Sequence, residues 1–370
     1  VIAKRKKRSL PEKLDIRSVA ERARVSIATV SRTINGIPTV GPELAKRVWK
    51  AIEELDYYPN TQARSLVSGR SRLLGLVISE ITNPFFPELI HGFEEIAVEN
   101  GYEILIGSTN YDPKRMSLVI RRMLERKVEG VAVMTFGIEE PLLQQLAERN
   151  IPLTLIDFAL PNPLVSTLRV DYGAGIRQAV HHLAALGHRR ISFISGPLHL
   201  HSAKARVEVF RVATKEARIP QKDARVVEAD HTLEGGMLAF ERMQARGELP
   251  PAIMCSNDMT AIGVLRSAYS IGLKVPSDLS IIGFDDIRFA QFTTPPLTTV
   301  QMSRADLARS AFQALRAHAE DGGEAAIREY TIPTKLIVRQ STDVPRDDSS
   351  RSGKQAKRRK TRQPRKGLAL

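Results

Sequence analysis

A set of polar residues draws attention by type and place. Asp157 follows the apolar run Leu153–Ile156, Asn257 and Asp258 follow Ala252–Ser256, Asp285 follows Ser280–Phe284, and Arg206 stands early in a helical pattern. In open α/β sheets ligands bind beyond the carboxyl ends of strands. Carboxylates, an amide and a guanidinium at such ends are the groups that hydrogen-bond a small polar molecule; they can also serve to close two lobes on each other. Catalysis would need more. The chain has no Walker loop, nucleophile elbow, zinc motif or cysteine pair, and Asp285-Asp286 has neither a partner base nor a nucleophile. Neither an enzyme nor a cofactor is expected. His199 and His201 lie two apart but lack the further spacing of a metal site; a pocket rim or an ordinary loop accounts for them. A second set of residues offers different chemistry. In Ser26-Ile27-Ala28-Thr29-Val30-Ser31-Arg32, a helix with Val30 inward turns the others outward. Ser26 and Thr29 suit phosphate, Arg32 a guanine edge, and Ile27 and Ala28 thymine methyls.

These residues need elements to position them. From Leu73 onward, short apolar runs (73–79, 104–107, 130–134, 153–156, 191–196, 252–256, 279–284) alternate with helical patterns (86–99, 114–125, 139–149, 173–186, 203–217, 232–245, 259–271). That alternation predicts parallel sheet covered by helices on both sides. About ten strands exceed one comfortable sheet, so two α/β lobes are expected. Ahead of them lie three short helical patterns. Asp15 caps the first, with Ile16, Val19, Ala20 and Ala23 on one face. After a break at Arg24-Val25, Ser26 caps the second, which runs to Ile34 and is followed by the loop Asn35-Gly36-Ile37-Pro38. Pro42 opens the third, whose buried stripe is predicted as Leu44, Val48, Ile52 and Leu55. Two short helices joined by a tight turn and braced by a third make a helix-turn-helix, which sets its second helix in the DNA major groove.

Charge supports the same division. Residues 1–72 hold 16 Lys/Arg against 7 Asp/Glu, and residues 343–370 hold 10 against 3, so the ends carry +9 and +7 and the body between them −2. Basic ends suit a polyanion, although a basic tail can equally be a solvated one. No apolar run reaches the length of a membrane span, and no apolar region follows the basic stretch Val1–Leu10, so no signal peptide is expected. The single cysteine, Cys255, cannot form an internal disulfide, which fits a reducing, cytoplasmic setting.

The head resembles the LacI/GalR family of transcription regulators. The resemblance runs through Val19-Ala20-Glu21-Arg22-Ala23-Arg24-Val25-Ser26-Ile27-Ala28-Thr29-Val30-Ser31-Arg32-Thr33-Ile34-Asn35-Gly36, through Ala51-Ile52-Glu53-Glu54-Leu55-Asp56-Tyr57-Tyr58-Pro59-Asn60, and into Ala63-Arg64-Ser65-Leu66, which matches the family's hinge helix. In the body, Asn83-Pro84-Phe85-Phe86, Leu186-Gly187-His188, Ser256-Asn257-Asp258, Gly283-Phe284-Asp285-Asp286 and Pro295-Pro296-Leu297-Thr298-Thr299 continue it. One departure stands out: Arg24 occupies a turn position where the family usually has glycine, at a cost on the order of 1 kcal/mol if the backbone is left-handed.

The resemblance implies a helix-turn-helix head plus a periplasmic-binding-protein-like body of two Rossmann-like lobes. Its boundaries would be a basic arm at 1–13, the head at 14–59, a hinge helix and linker at 60–71, and an effector-binding and dimerisation domain at 72–341. The N-lobe would take about 72–160 and 293–322, the C-lobe about 161–292 and 323–341, and a disordered basic tail 342–370. It implies DNA contacts from Ser26, Ile27, Ala28, Thr29, Ser31, Arg32 and Asn35. Ala63, Arg64 and Leu66 would enter the minor groove, with Leu66 as a wedge that kinks the duplex; the alternative for Leu66 is a linker residue packed on the head. Asp157, Arg206, Asn257 and Asp285 would contact an effector between walls of Phe85, Phe86 and Phe158, a set suited to a sugar or another polyol. The protein would be a homodimeric regulator, usually a repressor, on a pseudo-palindromic operator; the tail lacks the leucine heptads that join dimers into tetramers. Two alternatives stay open: a transporter's solute-binding protein, which leaves the head unexplained, and an architectural DNA protein, which leaves the polar cleft unexplained.

Overall fold

A computed structural model describes residues 14–58, 70–135, 140–320 and 328–346. The chain divides into two compact units, 1–71 and 72–370.

The first unit is three helices: α1 (Ile16–Ala23), α2 (Ile27–Ile34) and α3 (Pro42–Glu54). Asp15 accepts from the backbone N–H of Arg17 and Ser18 at 2.8 and 3.1 Å, while its own N–H donates to Ser18 Oγ, a reciprocal cap on α1. Ser26 Oγ accepts from Thr29 N–H at 3.1 Å at the start of α2. Val19, Ala20, Ala23, Val30, Val48 and Ala51 form the core. The predicted stripe of α3 is corrected at one end. Leu44 is exposed, and the inward arc runs instead through Val48 and Ala51 with Ile52 and Leu55 beside them, because the small hairpin of α1 and α2 packs over only part of the longer α3.

The second unit alternates strand and helix: β1 (Leu73–Ile78), α4 (Phe85–Glu99), β2 (Glu103–Ser108), α5 (Pro113–Glu125), β3 (Gly130–Met134), α6 (Glu140–Ala147), β4 (Leu153–Ile156), β5 (Val165–Asp171), α7 (Tyr172–Ala185), β6 (Ile191–Ser195), α8 (His201–Glu216), β7 (Ala224–Glu228), α9 (Leu233–Ala245), β8 (Ala252–Cys255), α10 (Asp258–Ser270), β9 (Ser280–Asp285), β10 (Thr298–Met302), α11 (Arg304–Glu320) and β11 (Arg328–Ile337). Hydrogen bonding orders the strands β2-β1-β3-β4-β5-β11-β10-β9-β8-β6-β7. Every neighbouring pair is parallel except β10 with β11.

Strand β11 belongs to both lobes. Arg328–Pro333 pair with Ser166–Asp171 of β5, and Thr334–Ile337 then pair with Thr299–Met302 of β10. The change falls at Pro333, which has no N–H to give to either ladder. This places the crossovers at Asp171/Tyr172, between Met302 and Arg304, and at Pro333/Thr334. The lobe bounds read from the sequence therefore shift. Residues 161–171 and 328–333 lie in the N-lobe sheet, and β10 lies in the C-lobe sheet. The body also runs past 341. Ser341 Oγ accepts from Thr298 N–H at 2.8 Å, His188 Nε2 meets the Asp343 carbonyl at 2.9 Å, and Arg346 pairs with Asp278. These contacts tie residues 341–346 to β10 and to the segments that lead into β6 and β9, so the body extends at least to Arg346.

Candidate functional site

Two surfaces collect the residues with chemistry. On the head, α2 presents Ser26, Ile27, Ala28, Arg32 and Asn35 to solvent, with Thr29 and Ser31 half-buried. Val30 alone of the 26–32 stretch is fully enclosed. Ser26 Oγ and Thr29 Oγ1 lie 2.9 Å apart at the helix N-terminus, where the backbone dipole favours an anion. Asn35 Nδ2 reaches Ser31 Oγ at 3.4 Å. Among the described residues no carboxylate pairs with Arg32. Ile27 is 45% exposed, an apolar side chain with no packing role in the head. The turn ahead of α2 rests on Arg24, which is left-handed at φ 52°, ψ 51°. Arg47 on α3 supports it: Nη2 donates to the carbonyls of Ala23 at 2.5 Å and Arg24 at 3.0 Å. Ala63, Arg64 and Leu66 lie outside the described residues.

In the body a cleft of about 510 Å³, part of it open to solvent, lies between the lobes. The N-lobe contributes Asn83, Phe85, Phe86, Leu89, Tyr111, Met134 and Ile156; the C-lobe contributes Ser202, Arg206, His231, Asn257 and Asp285, with Met302 at a crossover. Arg206 is 4% exposed. Its guanidinium carbon sits 4.9 Å from the Tyr172 ring centroid and 4.2 Å from that of Phe284, and Nη1 donates to the Ser256 carbonyl at 2.7 Å. Its Nε–H has no partner among the described residues. The cation is thus fixed by two aromatic faces, with one buried donor left over.

Asp285 supplies the complement. Its carbonyl accepts from Arg304, but among the described residues nothing donates to its carboxylate. Burial pushes the carboxyl up to about 7, against the pull of the Arg206 and Arg304 cations. Two further cleft groups are held neutral by burial. The Tyr111 phenol is pushed up to about 12. His231, pushed down to about 3, faces Ser256 Oγ through Nδ1 at 3.1 Å. The His231 ring packs on Gly196, where any Cβ would lie 1.9 Å from Nε2.

The backbone is unusual at the same places. Asn110 and Tyr111 beyond β2, Asp157 beyond β4, His231 beyond β7, and Asp285-Asp286 at the end of β9 all have φ between 50° and 105°. Left-handed non-glycine residues are costly and gather at binding sites, where they aim side chains that regular strands cannot.

The comparisons with known proteins agree with this geometry. Residues 15–60 match the model of the bacterial regulatory proteins of the lacI family, and 180–342 match a periplasmic binding protein-like domain. The chain is 33% identical to catabolite control protein A of Priestia megaterium, over 88% of this chain and 98% of that one. It is 32% identical to the PurR repressor of Aliivibrio salmonicida over the same shares, and 34% identical to the regulator DegA of Bacillus subtilis over 89% and 98%. The chain belongs to the lacI family. Among solved structures, the lac repressor dimer bound to operator and the anti-inducer ONPF matches with a TM-score of 0.79 at 26% identity, over 90% of this chain and all of that one. A complex of the regulator CelR with cellobiose matches with a TM-score of 0.64 at 27% identity, over 89% and 100%. This lacI-family protein is thus a DNA-binding transcription regulator with a helix-turn-helix head and a two-lobed periplasmic-binding-protein-like body.

Within that frame, the cleft gathers Phe85, Phe86, Arg206, Asn257 and Asp285 but not Asp157 or Phe158. Asp157 is occupied: Oδ1 accepts from Val170 N–H at 2.8 Å and Oδ2 from the Tyr172 hydroxyl at 2.6 Å, so it places the ring on which Arg206 rests. Phe158 turns away and packs on the second N-lobe cluster, around Leu153, Leu155 and Leu160. Asn257 lines the cleft while capping α10: Oδ1 accepts from Thr260 N–H at 2.9 Å and Nδ2 donates to the His231 carbonyl at 2.8 Å. The sequence reading missed Tyr111, Ser202 and His231. The rule that placed Asp157 at a strand end applies equally to Tyr111 after the run 104–107. His231 follows a strand too exposed to read as one. Among the described residues no helix is long and apolar enough to cross a membrane.

Proposed function

We propose that this regulator is a repressor that binds a pseudo-palindromic operator as a homodimer and is controlled by a sugar or sugar derivative in the interlobe cleft. The observation that carries the effector reading is that Arg206 and Asp285 line the same cleft, the first with an unpartnered Nε–H and the second with a carboxylate that meets no donor among the described residues. Vicinal hydroxyls answer both at once, and the rings of Phe85 and Phe86 suit the apolar face of a sugar. The CelR complex with cellobiose supports the class of ligand. Asn257 adds its free amide N–H, and Asp157 acts through Tyr172.

On the DNA side, Ile27, Ala28 and Arg32 read bases, Ser26, Thr29, Ser31 and Asn35 hold phosphates, and Ala63, Arg64 and Leu66 enter the minor groove. The lac repressor dimer bound to operator supports DNA binding as a dimer. Exposed Tyr269, Phe289 and Phe292 on the body, each more than half exposed, supply apolar surface for a second copy. Effector in the cleft reorients the lobes and changes the spacing of the two hinge segments. The coupling is reciprocal, so DNA alters effector affinity by the same factor. Such a protein works where the chromosome is, in the cytoplasm.

The test is selection of DNA in vitro with the purified protein, followed by the same binding assay against a panel of sugars and sugar acids. The expected result is a palindromic consensus whose affinity shifts with one compound. If no site is enriched under any condition, the specific-repressor reading fails.

A further inference from the structure

Arg304 opens α11 where the chain crosses back from the C-lobe to the N-lobe. Its side chain is 18% exposed, and all three of its nitrogens are engaged. Nε lies 2.9 Å from Glu88 Oε2 on α4, and Nη1 and Nη2 donate to the carbonyls of Asp285 and Asp286 at 2.7 and 2.8 Å. The guanidinium also stands 5.9 Å from the centroid of Phe85, in the cleft wall. The other oxygen of Glu88, Oε1, accepts from the Arg288 N–H at 3.0 Å.

These bonds gather on one short loop. Asp285 and Asp286 are consecutive left-handed residues at φ 105° and 56°, a conformation that persists only with outside support. Arg304 provides it from the carbonyl side, which leaves the Asp285 carboxylate facing the cleft. Glu88 sits three residues after Phe85 on the helix that carries the aromatic wall. The Arg304–Glu88 pair thus joins α11 to α4 on the N-lobe side, and its remaining hydrogen bonds, from both Nη atoms and to Glu88 Oε1, reach across to the C-lobe loop bearing the cleft's unsatisfied acid.

We infer that the Arg304–Glu88 pair is an interlobe clasp: it aims Asp285 into the cleft, holds the lobes in the arrangement seen here, and passes cleft occupancy to lobe orientation. The last clause rests on the repressor reading; the first two do not. The guanidinium suits this place because its three nitrogens each meet a separate acceptor, which a single ammonium matches less well.

The test uses the full chain. Spin labels at Lys114→Cys on the N-lobe and Lys222→Cys on the C-lobe report the interlobe distance by pulsed electron resonance, with labelled protein diluted into unlabelled; Cys255 is buried and stays unlabelled. R304M and E88Q are expected to shift the distribution to longer distances and to speed amide exchange across residues 285–288 at least tenfold. R304K should fall between them and the parent. R309M, which removes an exposed pair with Asp306 on the same helix, should match the parent. If R304M does not fold, R304K and E88Q carry the test. With the selected DNA, R304M should change affinity at least tenfold in either direction. Parental distances in R304M and E88Q, with faster exchange confined to the Arg288 amide, overturn the clasp. Altered distances with unchanged DNA affinity overturn its coupling role. If DNA selection enriches nothing, the repressor reading falls while the distances still decide the clasp.

Discussion

Replacing Asp285 with asparagine should stabilise the effector-free body at neutral and alkaline pH. The carboxylate is 5% exposed, and the side chain meets no donor among the described residues. Its pKa stands at about 7 in the fold against an ordinary value of 3.8. Between those values the folded state binds more protons than the unfolded one, so stability falls as pH rises. The contribution is fully present below the unfolded value and lost above the folded one. A gap of about 3 pH units at about 1.4 kcal/mol each gives about 4 kcal/mol. The Asp285→Asn variant would lack that dependence. Asp157 is also raised by burial and adds slope of the same sign, which both proteins share. Asp258 is raised by burial and in part by the Asp285 charge, so the variant relieves some of its slope as well, and the difference reports Asp285 together with its coupling to Asp258. The assay is urea unfolding of the full chain followed by circular dichroism between pH 5 and 8. The variant's advantage should grow with pH to several kcal/mol at the upper end. Equal slopes in the two proteins would refute the claim that the cleft holds an unsatisfied acid.

The head offers a simpler test. Arg47→Met removes two bonds to the turn carbonyls and should destabilise the head by about 1–2 kcal/mol, whereas Arg24→Gly relieves left-handed strain of about 1 kcal/mol less glycine's entropy of about 0.5, a net gain of roughly 0.5 kcal/mol. Trp49, the only tryptophan in the chain, lies in α3 and reports head unfolding by fluorescence. Arg32→Ala should weaken binding to the selected site by about 1–3 kcal/mol and leave random-sequence binding within a few-fold, as read by gel shift. Removing residues 347–370, and so sparing the Arg346–Asp278 pair, should lower the salt slope of DNA binding by about 0.9 for each phosphate that the tail neutralises; an unchanged slope means the tail does not touch DNA.

What the sequence revealed depended on burial. Strands β3, β4, β6, β8 and β9 are enclosed throughout, so apolar residues dominate each of them, with Thr154, Ser192, Ser195, Ser280 and Asp285 as the polar exceptions. Strand β5 buries Ser166 and Thr167, β7 is half-exposed at the sheet edge, and β11 contains Pro333, so none of the three announces itself. The missed strands also explain the misplaced lobe bounds, because crossovers fall at the ends of β5 and inside β11. Helix starts were legible because the caps Asp15 and Ser26, and Pro42 in the first turn of α3, act within a single turn of backbone. At the cleft, residue type indicated Arg206 and Asp285 but could not separate Asp157 from them. Asp157 and Asp285 are both carboxylates at strand ends; only the hydrogen bonds of Asp157 to Val170 and Tyr172 reveal that its carboxylate is spent inside the protein.

The shared strand β11 has a consequence for how the body comes apart. Neither lobe can complete its sheet without residues from this one segment, and the segment lies at the far end of the sequence from β1. A ribosome must therefore release nearly the whole body before either lobe closes its ladder. Once both have closed, peeling β11 from one opens the edge of the other. The body should melt as a single cooperative block despite its two-lobed shape, and a gene cut between lobes should yield two fragments that fold only when mixed.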